Sequence, residues 1–466
     1  MRYEGFALVV WVILMPTACL MGPDYERPQI PEKTQWSQEP SPISSPGQII
    51  RSDWWSNFQD PYLNQLIQTA VAENYNLKIL LARIDEAGAG LTTARAAQLP
   101  TADLTASAEY TRMGIEGSSS TIDTESYQAS ASVKWELDIW GKNRRGYLAS
   151  EASYKASQAD YRAGYLKMVS DVATTYFLIR EIDEKLIIRE RFYKDSLQKL
   201  TIYQNQFREG LVPDWQVSRQ VAEVKGLKQG LLDLERIRKI NQNRLATLLG
   251  KPAGDFAVPA ATLRDHLQPL TVPAGLPSEL LLRRPDVVAA EYRLLAATHR
   301  VGGAKAARLP SLSLTGELGV ASSALSKLLD QFTLGIAPEI FAPLFDAGRR
   351  KADQRVSEAR AQIAQNEYLN TVMGAFEEVE NALTNLNSRF SQKKLLEEQV
   401  KSLERVRLQT RAKFTEGLIS QLEVLDIENG LLSAENTLVE THRLLLDDTV
   451  TLYKALGGGW PQEVVQ

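Results

Sequence analysis

Ala94-Arg95-Ala96-Ala97-Gln98-Leu99-Pro100 returns later in the chain as Ala304-Lys305-Ala306-Ala307-Arg308-Leu309-Pro310. At the same offset upstream, Asn76-Leu77 faces Asp286-Val287 and Arg83 faces Arg293. Downstream, Phe207-Arg208-Glu209-Gly210-Leu211 matches Phe414-Thr415-Glu416-Gly417-Leu418, Val217 matches Val424, and Leu249-Gly250 matches Leu456-Gly457. Landmarks repeated in one order identify two copies of one structural unit. The offset shortens past the strand region, which places the length difference in a hairpin, where insertions are tolerated. The copies are residues 61–250 and 279–457. Between them a linker, 251–278, holds five prolines.

Both copies share one grammar. A helical pattern runs from Asp60-Pro61 to Leu99-Pro100. Beyond it Ala102, Leu104, Ala106, Ala108 and Tyr110 alternate with polar neighbours. Gly114 to Thr124 reads as a loop, and Tyr127, Ala129, Ala131, Val133, Trp135 and Leu137 alternate again. In the second copy Leu312, Leu314, Gly316, Leu318 and Val320 are followed by Phe332, Leu334 and Ile336. Period-two hairpins are therefore expected at 101–138 and 311–342. Strands of about 10–12 residues suit a tilted crossing of an outer membrane, although the same alternation fits a half-buried soluble hairpin. Each hairpin is followed by a long helical hairpin, 141–249 and 348–456. From Arg145 to Glu209 there is no proline, which allows a helix about 100 Å long at about 1.5 Å per residue. Val172, Ile179, Leu186, Tyr193, Leu200 and Phe207 recur in seven-residue steps, with Val169, Tyr176 and Leu197 between them, as a coiled-coil seam.

Composition narrows the function. With 24% charged and 44% hydrophobic residues in 466, the chain is neither disordered nor built of membrane helices. A net charge of −4 gives no footprint for nucleic acid. The three histidines, His266, His299 and His442, lie far apart and outside any ligand spacing, so no metal site is expected. No nucleophile–base pair suggests an enzyme. At the N-terminus Arg2 precedes an apolar run from Phe6 to Met15, too short to span a bilayer and of the length of a signal-peptide core. Pro16-Thr17-Ala18-Cys19 ends it, with the only cysteine of the chain. That end resembles a bacterial lipobox, which implies removal of residues 1–18 and diacylation of Cys19. Pro16 departs from the usual aliphatic residue, and a plain signal peptide with an incidental cysteine is the alternative reading. Residues 19–60 form a Pro-rich arm, and 458–466 a short tail. No segment offers 18–20 uninterrupted apolar residues, so any membrane crossing must be made of strands.

Four membrane-length strands cannot close a barrel alone, and an open edge in lipid leaves backbone groups unpaired. Three copies would give twelve strands, and their helices a tube. Several motifs carry a resemblance over nearly the whole chain. They are Gly22-Pro23-Asp24-Tyr25-Glu26-Arg27-Pro28, Trp54-Trp55-Ser56-Asn57-Phe58-Gln59-Asp60-Pro61, Leu282-Arg283-Arg284-Pro285-Asp286-Val287, Pro343-Leu344-Phe345-Asp346-Ala347-Gly348-Arg349 and Ala455-Leu456-Gly457-Gly458-Gly459-Trp460. With them the chain resembles the TolC-like outer-membrane efflux family, in its lipoprotein branch. That resemblance implies a mixed α and β membrane protein: two repeats giving four transmembrane strands and long coiled-coil hairpins. It implies a homotrimer with a 12-stranded β-barrel continued by a 12-helix periplasmic α-barrel. It further implies passive export of small molecules, partnered by a periplasmic adaptor and an inner-membrane resistance–nodulation–division pump. Outer-membrane lipid would surround the barrel, with no cofactor beyond lipid on Cys19. The absence of a phosphate-binding Gly-rich loop agrees with energy supplied by the pump. A type I protein-secretion conduit and a non-channel periplasmic scaffold remain the alternatives.

A resting conduit must be constricted at the far end of its helices, where Gly210 and Gly417 mark the turns. Leu422, Glu423 and Asp426 follow at spacings that share one helical face. The resemblance assigns such positions to apolar and acidic rings of a periplasmic gate. Arginines found in some relatives at the places of Ile419 or Asn429 are missing here. A solvated acidic face is the plain alternative. The first-copy counterparts of Leu422 and Asp426 are Trp215 and Arg219, and Arg219 is expected as a partner for Asp426. Asp138 and Asp346 are read as helix caps.

Overall fold

The structure, a computed structural model, describes residues 20–30, 36–37, 53–114, 121–263 and 283–459. The expected signal peptide, Cys19, most of the arm, the second half of the linker and Trp460 lie outside the described residues.

Element order repeats. After a short 3-10 turn, Trp54–Phe58, come α1 (Pro61–Glu73), α2 (Tyr75–Ala96), β1 (Thr101–Gly114), β2 (Thr121–Leu137), α3 (Lys142–Arg208) and α4 (Asp214–Leu248). The second round gives α5 (Pro285–Ala306), β3 (Ser311–Ser322), β4 (Phe332–Phe341), α6 (Arg349–Thr415) and α7 (Gln421–Ala455). Helices α2 and α5 both have 22 residues, α3 and α6 both have 67, and α4 and α7 both have 35. Among these matched elements the strands differ, at 14 and 17 residues against 12 and 10.

Two details depart from the expected pattern. The first helical stretch is broken at Asn74, whose side chain accepts the Leu77 amide (3.1 Å) and donates to the Leu248 carbonyl (2.7 Å). An Asx cap of this kind competes with helix continuation. Strand β2 also begins earlier than expected, at Thr121. The ladder persists because Thr111 pairs with Thr124, and Arg112 makes a two-pronged bond to Asp123 at 2.7 and 2.8 Å.

The chain forms two compact units that cut across the repeats. One gathers the described residues up to Ile30 with Ala82–Gln158 and Ala289–Asn370. The other gathers those within Pro31–Leu81 with Ala159–Val288 and Thr371–Gln466. The first unit holds one antiparallel sheet in the order β1-β2-β3-β4.

The second unit is a helical core. Leu63 and Ile67 of α1, Val169, Val172, Tyr176 and Ile179 of α3, Val372 and Val379 of α6, and Leu445 and Val450 of α7 are buried. Each such side chain contributes about 1.5–3 kcal/mol of apolar burial. Trp54 stacks on Tyr453 at 4.9 Å, and Asp60 caps α1 while accepting the Tyr176 hydroxyl at 2.5 Å. The expected seam along α3 does not stay buried. It begins at Val172 and Ile179 and leaves the core by Phe207, where burial has moved to Phe192, Ser196 and Tyr203. A straight helix drifts about 20° per seven residues against a strict heptad, so five heptads turn the stripe by about 100°.

Candidate functional site

Pairing in the sheet fixes two faces, because directly opposed residues share a side. The rows Leu137–Leu312–Ile340, Trp135–Leu314–Pro338, Val133–Gly316–Ile336, Ala131–Leu318–Leu334 and Ala129–Val320–Phe332 form one face. Strand β1 extends it with Ala102, Leu104, Ala106 and Ala108 opposite Val133, Ala131, Ala129 and Tyr127. Every apolar member of the sequence alternation therefore lies on a single surface. From Leu137 to Tyr127 the band covers eleven residues of β2, ten steps along the strand. At about 3.3 Å per residue and a tilt of about 40° it is about 25 Å tall, the height of an outer-membrane hydrocarbon layer.

The opposite face is polar. Its lowest row pairs Ser311 with Phe341, the next holds Glu136, Ser313 and Glu339, and the one above that Thr101, Lys134, Thr315 and Ala337. Above them lie Asp103, Ser132, Glu317 and Gly335, then Thr105, Ser130, Gly319 and Thr333, then Ser107, Gln128 and Ala321. In the sequence these are the polar residues between the apolar alternates, and only the strand register gathers them into rows.

Beside this sheet the arm is held by a buried cation. Arg145, 1% exposed, donates to the carbonyls of Met21 (3.0 Å) and Gly22 (3.4 Å) and meets Asp24 at 3.4 Å. Its Nη1 lies 3.0 Å from Nδ1 of His299. Burial, then the Arg145 charge, pull the His299 pKa down, so a neutral imidazole accepts from the guanidinium. A Cβ on Gly302 would stand 2.7 Å from both Arg145 Nε and the Met21 oxygen, so only glycine allows the arm this close. Arg27 adds a two-pronged bond to Glu291 at 2.7 and 2.8 Å.

In the helical unit, the two turns are built alike. Gly210 and Gly417 take φ of 73° and 74°, and Leu211 and Leu418 return bonds to Gln206 (2.8 Å) and Lys413 (2.9 Å), as left-handed caps do. Beyond them Leu211, Trp215, Leu418 and Leu422 are exposed. Leu422 and Asp426 lie on the open face of α7, opposite buried Val424, Leu425, Glu428 and Leu431. Glu423 is occupied in a capping box with Ser420. Arg219 is half-buried on α4, and no ion pair joins it to Asp426 within the described protomer. Glu428 instead ties α7 down, bonding Lys199 of α3 and Arg411 of α6, while Arg411 reaches Asp195 at 2.7 Å. Burial and then the Glu428 charge push the Tyr203 hydroxyl up to about 12. Asp138 caps α3 through the Arg144 amide (2.7 Å) and Asp346 caps α6 through the Arg350 amide (3.2 Å).

Among the described residues no group of three or more His, Cys, Asp or Glu side chains gathers as a metal site, and no helix is long and apolar enough to cross a membrane. A family model, described as outer membrane efflux protein, matches residues 66–251 and again 276–458, once per repeat. The chain belongs to the outer membrane efflux protein family.

Relatives cover nearly all of it. The cation efflux system protein CusC of Escherichia coli is 29% identical, with 97% of this chain and 98% of that protein aligned. The pyoverdine export outer membrane protein OpmQ of Pseudomonas putida is 31% identical over 90% of this chain and 91% of its own. The solved outer-membrane channel OprN superposes with a TM-score of 0.86 at 28% identity, covering 95% of this chain and 100% of that one. As an outer membrane efflux protein, the chain is an outer-membrane channel component of an efflux system and not an enzyme. The two-faced sheet is its membrane part, and the long helical hairpins are its periplasmic part.

Proposed function

We propose that three copies of this outer membrane efflux protein close a 12-stranded barrel and a helical tube, forming the exit through which small molecules leave the cell. The carrying observation is the two-faced sheet with open edges at β1 and β4. Each neighbouring pair is antiparallel, so β4 of one copy meets β1 of the next in the same sense. Closure pairs both edges and turns the polar face inward. A lipid on Cys19 adds a second hold on the membrane. The exposed Leu211, Trp215 and Leu418 at the turns provide apolar contacts for a periplasmic adaptor, which links the trimer to an inner-membrane pump of the resistance–nodulation–division class.

Leu422, Glu423 and Asp426, with Arg219 from a neighbouring protomer, form the resting constriction in this reading. The exposed stripe on α7 supports it, and the capping bond makes Glu423 the weakest member. CusC and OpmQ are named for different cargo, cations and pyoverdine, which fits a conduit that leaves cargo choice to its pump. Detergent-purified protein added to planar lipid bilayers tests the proposal. Discrete conductance steps of uniform size are expected; insertion without any conductance rejects it.

A further inference from the structure

We propose that the arm is held by an acid-sensitive latch, in which a proton taken up by His299 pushes Arg145 away and frees residues Met21 to Asp24. All the groups involved lie within one compact unit of one protomer. Arg145 is 1% exposed, and its guanidinium is the hub of the contact. Nε donates to the Met21 carbonyl at 3.0 Å, and Nη2 reaches the Gly22 carbonyl and Asp24, both at 3.4 Å. Nη1 points at Nδ1 of His299, 3.0 Å away. A guanidinium only donates, so this last contact is a bond only while Nδ1 keeps its lone pair. Protonation makes both ring nitrogens donors. It then sets one N–H against another and brings a second positive charge to a cation already stripped of water.

The charged groups acting on the ring are Arg145 and Glu151 of α3 and Asp24 of the arm. Burial and the Arg145 charge oppose the proton, the two carboxylates favour it, and the first pair prevails. Both carboxylates are badly placed to compensate. Asp24 is 93% exposed, and Glu151 is engaged by Lys155 at 2.7 Å. Nor can the arm give way slightly. Gly22 takes a φ of 101°, and a Cβ there would collide with Gly302, so the two backbones already touch. The docked arm therefore disfavours the proton, while release lets His299 return towards its ordinary pKa of about 6.5. Docking is at full strength above that value and weakens as pH falls from it to the lower pKa of the docked state. Because the arm follows the cysteine expected to carry lipid, acid release would loosen the tie between anchor and protein.

Hydrogen exchange of the intact protein in detergent provides the test, read at the Met21 amide, which donates to the Trp140 carbonyl at 3.2 Å. Rates are corrected for the intrinsic pH dependence of exchange. Wild-type protection should fall by about threefold or more between about pH 7.5 and pH 5.5, with about tenfold per pH unit as the limit for one proton. His299→Gln retains an acceptor oxygen and takes up no proton, so its protection should stay level. Asp447 also titrates in this range and is kept in the variant, so a fall of equal size in both proteins overturns the proposal. If His299→Gln leaves Met21 unprotected at every pH, histidine NMR of the wild type decides. Three histidines give three imidazole signals, and the one missing from the variant belongs to His299. It should titrate below about 6.5 and in step with the loss of Met21 protection. Titration at or above that value, or protonation that leaves Met21 protected, overturns the latch.

Discussion

Asp447 shows what a single carboxyl contributes when it must shed water. Its Oδ1 is sealed without a hydrogen-bond partner, while the other oxygen accepts from Arg443. Glu181 of α3 also bonds Arg443, and neighbouring Asp448 is engaged by Arg389 of α6. Burial outweighs the Arg443 attraction and lifts the Asp447 pKa to about 7. A pKa raised in the folded state stabilises the fold below the unfolded value of about 4, and that contribution is lost as pH rises through about 7. Asp447→Asn should therefore flatten the fall in thermal midpoint between about pH 4 and pH 7. Above about pH 7 the variant should equal or exceed the wild type. Parallel curves for the two proteins defeat this account. Neither Asp447 nor Arg145 stood out in the sequence, because each owes its role to partners far away in the chain.

Elements were far more legible than residues. Repeated landmarks placed two helix–hairpin–helix units, and period-two alternation marked every strand, because both signals are local. What escaped was decided by packing. Asn74 breaks the first helix because it finds a carbonyl on α4, and the α3 seam turns out of the core because 3.6 residues per turn do not divide seven. The apolar rows also decide what a charge costs. Leu104 and Leu314 lie on the same face, within the band that meets lipid. Arg at either position should cost about 2–4 kcal/mol near the midplane. Urea titration of protein folded into lipid vesicles measures that loss. Arg in place of Ser130, on the other face, should cost much less; equal losses at the two positions contradict the assignment of faces.

At the scale of the whole molecule, the proposed closure and the proposed gate both draw on more than one chain. Detergent-extracted protein should have three times the protomer mass after subtraction of bound detergent, with acyl chains on an N-terminal Cys19 peptide by mass spectrometry. A stable monomer with ordered strands contradicts closure, and an unmodified thiol contradicts lipidation. The proposed gate rests on the same symmetry. Three copies bring three Asp426 carboxylates around one axis, where their repulsion disfavours a closed ring unless cations offset it. No ion pair joins Arg219 to Asp426 among the described residues, so the proposed gate draws its offset from a neighbouring chain. Asp426→Ala and Leu422→Ala should widen the constriction, and Arg219→Glu should do so more strongly by adding repulsion. Each should raise single-channel conductance at neutral pH and sensitise cells to antibiotics normally excluded by size. Exchanging the charges, Asp426→Arg with Arg219→Asp, should recover part of the closure, because a double-mutant cycle isolates coupling between groups that touch. Additive effects in that cycle mean the two do not meet. Unchanged conductance in all three single variants means that the exposed stripe of α7 is only a solvated face and that the constriction is built from other residues.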